Sequence, residues 1–257
     1  MRIVVAGADG CVGRALVARA RGRDIVGVGR AAGDLADPLV RERILDELRP
    51  DVVIFAAAFT AVDAAGTDPR AWAINVDAPA AWARRVPTWW LSSNFVFHGR
   101  GPHPPEAVPE PLGAYAAQKT RAEIEVMAAG GHVARVGWVV GPGGRTFGSR
   151  LAARLRAGET VRAVADVIVQ PTWSLDLADA LLDLPSGLTH HIGAGETSWY
   201  GLALAVQARI GAGRVVPVRL AELGLGEPRP RDARLIPARL PPWWERVDRI
   251  AALGAAG

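Results

Sequence analysis

The fold is decided by residues 2–13, which read Arg2-Ile3-Val4-Val5-Ala6-Gly7-Ala8-Asp9-Gly10-Cys11-Val12-Gly13. The apolar run predicts a strand, and the three glycines after it have the spacing G-x-x-G-x-x-G. The residues that follow, from 12 to 21, carry apolar side chains at helical spacing. Glycines between a strand and a helix let the backbone approach a pyrophosphate, which the amides at the helix start can bind. The stretch therefore predicts a dinucleotide-binding unit with Gly7, Gly10 and Gly13 in its phosphate loop.

The same alternation of strand and helix continues through the first half of the chain. Further strands are predicted at residues 25–28, 52–55, 88–91 and 132–136, and helices between them at 38–48, 69–85 and 115–128. The rhythm changes after the breaker cluster Gly141-Pro142-Gly143-Gly144. The pattern predicts an α/β fold, a Rossmann-type doubly wound parallel sheet with a smaller C-terminal substrate-binding lobe. We expect residues 1–142 to form the dinucleotide-binding domain, with 175–193 returning to it, and 143–257 to form mainly the lobe.

Composition excludes several classes of protein. Half of the 257 residues are apolar, which argues against disorder, and the apolar runs are too short to span a bilayer. Cys11 is the single cysteine, and no charged leader precedes the first strand, so a cytoplasmic protein is expected. The net charge is +4, but arginines alternate with acids, as in residues 41–49, which indicates a solvated face and not a nucleic-acid site.

A second motif, Tyr115-Ala116-Ala117-Gln118-Lys119, lies on a predicted helix and has the spacing Y-x-x-x-K. The chain has only two tyrosines and one lysine, and this scarcity argues against a chance occurrence of the spacing. Helical geometry places the phenol and the ammonium one turn apart on one face. We expect the cation to lower the phenol pKa, so that Tyr115 exchanges a proton near neutrality. Ser93, at the end of the fourth strand, can hydrogen-bond a substrate carbonyl at the same sheet edge.

The residues after the second strand predict the cofactor. They read Val28-Gly29-Arg30, and no acid of the kind that binds a ribose 2'-hydroxyl lies among them. An arginine there suits a 2'-phosphate. The sequence therefore predicts NADPH, with NADH as the weaker option.

Several further stretches, taken with the two motifs, make the chain similar to the dTDP-4-dehydrorhamnose reductase family of extended short-chain dehydrogenases/reductases. They span almost the whole sequence: residues 49–54 (RPDVVI), 56–63 (AAAFTAVD), 91–97 (LSSNFVF), 135–138 (RVGW), 170–172 (QPT), 195–200 (GETSWY) and 229–235 (RPRDARL).

The resemblance implies roles for named residues. For the cofactor, Gly10, Cys11 and Val12 would contact the phosphates, Asp34 and Leu35 would lie near the adenine, and the nicotinamide side would be lined by Ala56, Ala57, Ala58, Phe59 and Thr60. For the reaction, the catalytic trio would be Ser93, Tyr115 and Lys119, with Asn94 and Trp138 facing the sugar. Apart from the resemblance, the tail arginines Arg229, Arg231 and Arg234 either bind the substrate diphosphate or are solvated surface residues.

Two departures from the family pattern matter. The chain has Ser92-Ser93-Asn94 where the family usually has Ser-Thr-Asp, so an amide replaces a carboxylate near the sugar. Some members use acids at a magnesium-bridged dimer interface, but Ala15 and Leu175 stand at the matching positions. We therefore predict no metal and leave the exact sugar open.

The leading hypothesis is NADPH-dependent reduction of the C4 ketone of a nucleotide-linked 6-deoxysugar, giving dTDP-L-rhamnose or a related deoxyhexose. One alternative is a nucleotide-sugar epimerase or dehydratase, which the same trio serves with a recycled cofactor. Another is a non-catalytic dinucleotide-binding regulatory subunit. The oligomeric state is also open, with a homodimer as one option.

Overall fold

A computed structural model of the chain describes residues 1–143, 146–237 and 240–254. Gly144, the last residue of the predicted breaker cluster, and parts of the predicted lobe lie outside these ranges. The strands are β1 Arg2–Ala6, β2 Asp24–Val28, β3 Val52–Phe55, β4 Thr88–Ser93, β5 His132–Val136, β6 Val139–Val140, β7 Thr160–Val164, β8 Thr172–Trp173, β9 Leu188–His191, β10 Gly193–Ala194, β11 Arg214–Val218 and β12 Leu240–Pro242. The α-helices are α1 Cys11–Ala18, α2 Pro38–Leu48, α3 Pro69–Trp72, α4 Ala78–Ala83, α5 Ala114–Ala128, α6 Phe147–Arg156, α7 Ser174–Leu181, α8 Trp199–Ile210 and α9 Val247–Ala251.

A parallel six-stranded sheet in the order β2-β1-β3-β4-β5-β9 forms the centre of the molecule. Alternate residues of β1 face opposite sides of the sheet, as a strand requires. Val4 and Ala6 pack in a core that includes residues of α2, α4 and α5, whereas Ile3 and Val5 pack with α1 and α7. Helices therefore cover both faces, and the prediction of a doubly wound parallel sheet is confirmed.

The predicted helices differ from the observed ones in two places. The first ends at Ala18 and not at residue 21, because the chain turns through Arg21 at φ +43° on its way to β2. The predicted helix at 69–85 is interrupted, since the π-helical turn Ala73–Asp77 joins α3 to α4. Such turns are rare and occur often at functional sites.

A second apolar core lies in the C-terminal half and is built from residues between Val140 and Leu253, many of them in α6, α8 and α9 and in the pair β7 and β11. The intervening α7 and β9 belong instead to the central sheet, on which α7 packs and in which β9 pairs with β5. The domain boundaries set out above stay predictions. No helix in the described ranges is long and apolar enough to cross a membrane.

Candidate active site

The phosphate loop follows the carboxyl end of β1, which pairs with β2 on one side and with β3 on the other. Gly7 has φ +84°, and a Cβ there would lie 2.6 Å from the amide nitrogen of Ala57. A Cβ at Gly13 would lie 2.2 Å from the carbonyl oxygen of Gly7. Only glycine fits these positions, because the loop packs directly against the segment after β3 and α1 packs directly against the loop.

The start of α1 is suited to an anion. Its N-cap, Gly10, has extended backbone angles and provides no capping side chain, so the first amides of the helix have no side-chain acceptor. Cys11 is partly buried with its Sγ 3.9 Å from the carbonyl oxygen of Pro142, and burial raises the pKa of its thiol. Val12 packs partly against the core beneath α1. Of the three residues predicted to contact the phosphates, Gly10 is the N-cap of α1, and Cys11 and Val12 lie in its first turn.

The predicted nicotinamide segment follows β3. Its residues 56–59 are half-buried, and Thr60 is exposed. The buried Asn75, in the π-helical turn, holds this segment by accepting from the Phe59 amide at 2.9 Å and donating to the Phe59 carbonyl at 3.2 Å. Asn75 also donates to Oε1 of Gln118 at 2.9 Å, which links the segment to α5. The sequence motifs did not point to the side chains of Asn75 and Gln118, although Gln118 lies inside the Y-x-x-x-K motif.

The predicted adenine side follows β2. Arg30 is exposed, and its guanidinium makes no hydrogen bond or ion pair with any residue that the structure describes. Asp34 is also exposed and accepts from the Ala36 amide at 3.0 Å, whereas the side chain of Leu35 is buried in the core. Arg41, expected on a solvated face, is instead buried, because its Nη1 donates to the carbonyls of residues 35 and 36 at 2.8 and 2.9 Å.

Ser93, Tyr115 and Lys119 lie together at the carboxyl end of β4, and we call them the tyrosine cluster. The hydroxyl of Ser93 lies close enough to the phenol of Tyr115 to favour the ionised form of the phenol. Lys119 is 2 % exposed, and its Nζ donates to the carbonyl of Leu91 at 3.0 Å, 4.5 Å from the centre of the Trp90 ring. The structure thus brings together the three residues that the resemblance singles out.

The prediction that Lys119 lowers the pKa of the Tyr115 phenol is wrong. Removal from water raises the pKa of Tyr115 to about 12, and the nearby Ser93 hydroxyl only partly opposes this rise. Lys119 points at a backbone carbonyl and lies 5.9 Å from the centre of the Tyr115 ring. Its own pKa falls to about 7, because burial disfavours the ammonium more than the negative charge of Glu123 favours it. The Tyr115 phenol is therefore protonated at neutral pH, and Lys119 is the group whose pKa lies near neutrality.

A second buried group, the arginine cluster, lies beside the first and consists of Ser92, Glu123 and Arg135. Arg135 makes a bidentate ion pair with Glu123, its Nε donating to Oε1 at 2.9 Å and its Nη2 to Oε2 at 2.7 Å. Ser92 donates to Oε1 at 2.6 Å. Glu123 lies one helical turn beyond Lys119 on α5, so the two clusters share one face of the helix. Nothing in the sequence pattern pairs these residues, since they come from two strands and a helix.

The two residues expected to face the sugar have distinct surroundings. Asn94 is buried, and its Nδ2 donates to the carbonyl of Ala233 at 3.1 Å, which ties the end of β4 to the C-terminal segment. Trp138 has φ +44°, a strained value for a bulky residue. Its ring lies edge-to-face with Phe95 at 5.4 Å and with Trp199 at 4.2 Å. Phe95 in turn contacts the Tyr115 ring at 6.0 Å, so aromatic side chains connect the tyrosine cluster to the second core.

The tail arginines are mostly paired within the protein. Arg229 forms an ion pair with Asp63 at 3.0 Å, and Arg234 is held by Asp232 at 2.8 Å and by Glu196. Arg231 is largely exposed, 3.9 Å from Asp166. Of the three, Arg231 therefore remains available to an anion. No group of three or more His, Cys, Asp or Glu side chains that could hold a metal was found among the described residues.

Comparison with known proteins gives consistent matches along the chain. Residues 1–241 match the family model described as RmlD substrate binding domain. A probable dTDP-4,6-dihydroxy-2-methyloxan-3-one 4-ketoreductase of Streptomyces antibioticus is 35% identical over 90% of this chain and 85% of its own length. A dTDP-4-dehydrorhamnose reductase of Streptomyces griseus is 35% identical over 90% of this chain and 84% of its own.

Solved structures agree on the fold. The crystal structure of dTDP-4-dehydrorhamnose reductase from Bacillus anthracis in complex with NADP superposes with a TM-score of 0.90, covers 97% of this chain and 98% of the other, and is 24% identical. Because the family model spans nearly the whole sequence and relatives above 30% identity cover nine-tenths of it, the chain belongs to the dTDP-4-dehydrorhamnose reductase family, as the sequence motifs indicated.

Proposed function

We propose that this protein is an NADPH-dependent reductase of the C4 ketone of a nucleotide-linked 6-deoxysugar, forming dTDP-L-rhamnose or a related deoxyhexose. The observation that carries the proposal is the tyrosine cluster, in which a neutral phenol beside a serine hydroxyl stands at the edge of a dinucleotide-binding sheet. Relatives at 33–35% identity are named as ketoreductases or reductases of dTDP-sugars.

The protein has residues that fit a dinucleotide. Gly7 and Gly13 let the loop pack closely between the segment after β3 and α1, and the uncapped start of α1 can bind a pyrophosphate. Gly7, Gly10 and Gly13, with Cys11 and Val12, would hold the phosphates, and residues 56–60 would line the nicotinamide. When bound, the reduced nicotinamide supplies the hydride.

Each member of the tyrosine cluster has a task in this reduction. As the carbonyl carbon is reduced, negative charge develops on its oxygen, and Tyr115 donates its Oη proton there. Its high pKa keeps the phenol protonated until that charge appears. Ser93 hydrogen-bonds the same oxygen and the phenol, and Lys119 holds the nicotinamide ribose. The ring of Trp138, held between Phe95 and Trp199, would help to position the sugar.

The sugar nucleotide is the small-molecule partner that we propose, and the cytoplasm is the compartment, since a single partly buried cysteine suits a reducing environment. Among the tail arginines, we expect the largely exposed Arg231 to contact the diphosphate of the sugar nucleotide.

The test offers the purified protein a dTDP-4-keto-6-deoxyhexose, its epimerase and NADPH, and follows the nicotinamide absorbance. We expect stoichiometric oxidation of NADPH and a reduced sugar nucleotide as product. If this chain were itself an epimerase or dehydratase, it would change the sugar nucleotide without net consumption of NADPH even when the added epimerase is left out. Failure to oxidise NADPH with any of several 4-keto sugar nucleotides would overturn the proposal.

A further inference from the structure

The carboxylate of Asp9, from the phosphate loop, covers the carboxyl end of β2. Its Oδ2 accepts a hydrogen bond from the backbone amide of Arg30 at 2.7 Å. A Cβ on Gly29 would lie 2.4 Å from Asp9 Oδ2 and 2.6 Å from Oδ1. The carboxylate can occupy this position only because residue 29 is glycine.

This position has a defined meaning in a dinucleotide-binding sheet. The adenosine ribose lies at the end of the second strand, where an acidic side chain accepts from the ribose 2'-hydroxyl of NADH. The same carboxylate repels the 2'-phosphate of NADPH. In such sheets the acid usually lies at the end of the second strand. In this chain Gly29 and Arg30 stand there, and neither is an acid. The structure supplies one from the phosphate loop, which the order of residues alone does not reveal.

Asp9 and Arg30 therefore present opposite charges at one place. Asp9 is exposed, and its Oδ1 makes no hydrogen bond with any residue in the described ranges. The guanidinium of Arg30, equally unpaired within those ranges, extends from the residue whose amide Asp9 binds. One oxygen of Asp9 is thus anchored, while the other can accept from a ribose hydroxyl.

We propose that Asp9 is the residue that determines cofactor choice, by accepting from the ribose 2'-hydroxyl of NADH and opposing the attraction of Arg30 for the 2'-phosphate of NADPH. Asp9 thereby reduces the preference for NADPH that Arg30 creates, so that NADH also binds. This inference rests on the proposed function, because it assumes that the phosphate loop binds a nicotinamide dinucleotide.

Binding titrations test the inference without any sugar substrate. The dissociation constants of NADPH and NADH are measured by calorimetry, together with those of the fragments 2',5'-ADP and 5'-ADP, which differ only in the 2'-phosphate. In the parent we expect the two cofactors to bind within about tenfold of one another. Asp9→Asn keeps an oxygen for the Arg30 amide but removes the charge, so preference for the 2'-phosphate should rise by about tenfold or more. Arg30→Ala should shift it in the opposite direction.

Asp24→Asn is the matched control. It removes the same charge from the opposite end of β2, roughly 15 Å away along the strand, and should leave the preference unchanged. Asp9→Ser, whose hydroxyl can also accept from the Arg30 amide, is a second variant that should reproduce the shift if Asp9→Asn fails to fold. A preference in the folded Asp9 variants within twofold of the parent would overturn the inference. If neither dinucleotide bound the folded parent, the proposed function itself would fail.

Discussion

Lys119 and Arg135 are two buried cations on one side of the same sheet, and their surroundings are opposite. Each is 2 % exposed. The guanidinium of Arg135 makes a bidentate ion pair with Glu123, which neutralises the charge of Arg135. Ser92 donates a further hydrogen bond to the same carboxylate. Lys119 has a backbone carbonyl and an aromatic ring, and its pKa falls to about 7. Burial in direct contact with a carboxylate makes a structural ion pair, whereas burial without such a contact leaves a group that titrates near neutral pH. The tyrosine cluster is thus suited to chemistry and the arginine cluster to stability.

The largest expected effect comes from the tyrosine cluster. Tyr115→Phe removes one hydroxyl and keeps the ring contact with Phe95. We expect turnover to fall roughly 10² to 10⁴-fold, the usual contribution of a positioned general acid, with folding and NADPH affinity nearly unchanged. Steady-state kinetics of the reductase reaction measure this. Tyr200→Phe, at the other tyrosine of the chain, is the control and should retain the parent rate. A Tyr115→Phe enzyme that is equally fast would place the proton donor elsewhere.

Breaking the ion pair of the arginine cluster should be the next largest change. Arg135→Met leaves the carboxylate of Glu123 buried and unpaired, and we expect the free energy of unfolding to fall by about 3–5 kcal/mol. Arg154→Met breaks a half-exposed ion pair with Glu159 and should cost about 1 kcal/mol or less. Urea denaturation compares the two. The double variant Arg135→Met, Glu123→Leu should recover most of the loss, and equal costs for Arg135→Met and Arg154→Met would contradict the comparison.

Removing the charge of Lys119 should stabilise the protein, whereas removing that of Arg135 should destabilise it. Its pKa is about 7 in the folded chain and 10.5 in the unfolded one, so between these values the unfolded state binds more protons. The stability of the parent should therefore rise as the pH increases from 7 towards 10.5, while below pH 7 the full cost of burying the ammonium remains. Lys119→Met removes that cost and should raise the free energy of unfolding at pH 6 by roughly 2–4 kcal/mol, while impairing turnover and cofactor affinity.

Urea denaturation of the parent and of Lys119→Met at pH 6, 7.5 and 9 checks this. The advantage of the variant should shrink steadily across the series. A Lys119→Met protein less stable than the parent at pH 6 would show that the ammonium is stabilised in the fold, as the guanidinium of Arg135 is.

The sequence was most informative where the chemistry is local. The glycine motif of the phosphate loop spans 7 consecutive residues, and the Y-x-x-x-K motif spans 5. Because each motif is local, its spacing determined its geometry. The parallel sheet followed from repeated short apolar runs separated by helices, and five of its six strands lie at predicted positions.

Features that depend on distant contacts could not be predicted. The Glu123–Arg135 pair joins α5 to β5 in a chain with many arginines, so no spacing distinguishes it. The direction of the Tyr115 pKa depends on desolvation, which a one-turn spacing to Lys119 does not reveal. Asp9 was visible in the glycine motif, but its contact with the amide of residue 30 depends on how the loop folds over β2.

The smallest effects distinguish two neighbouring serines, and they test the division between the clusters most sharply. Ser92 donates to the buried carboxylate of Glu123 at 2.6 Å, so Ser92→Ala should lower the free energy of unfolding by about 1–3 kcal/mol and leave turnover near the parent value. Ser93→Ala should lower turnover roughly 10 to 100-fold, less than Tyr115→Phe, because it removes one donor from the developing oxyanion.

Ser93 also has a minor structural role, since its Oγ accepts from the Phe95 amide at 3.1 Å at the start of a short 3₁₀ turn. Its loss should therefore cost stability as well, but only about 1 kcal/mol. The decisive quantity is the ratio of the two effects, measured by denaturation and kinetics on the same preparations. If Ser92→Ala slowed turnover as much as Ser93→Ala, the two clusters would act as one unit, and the contrast between Lys119 and Arg135 would no longer separate chemistry from stability.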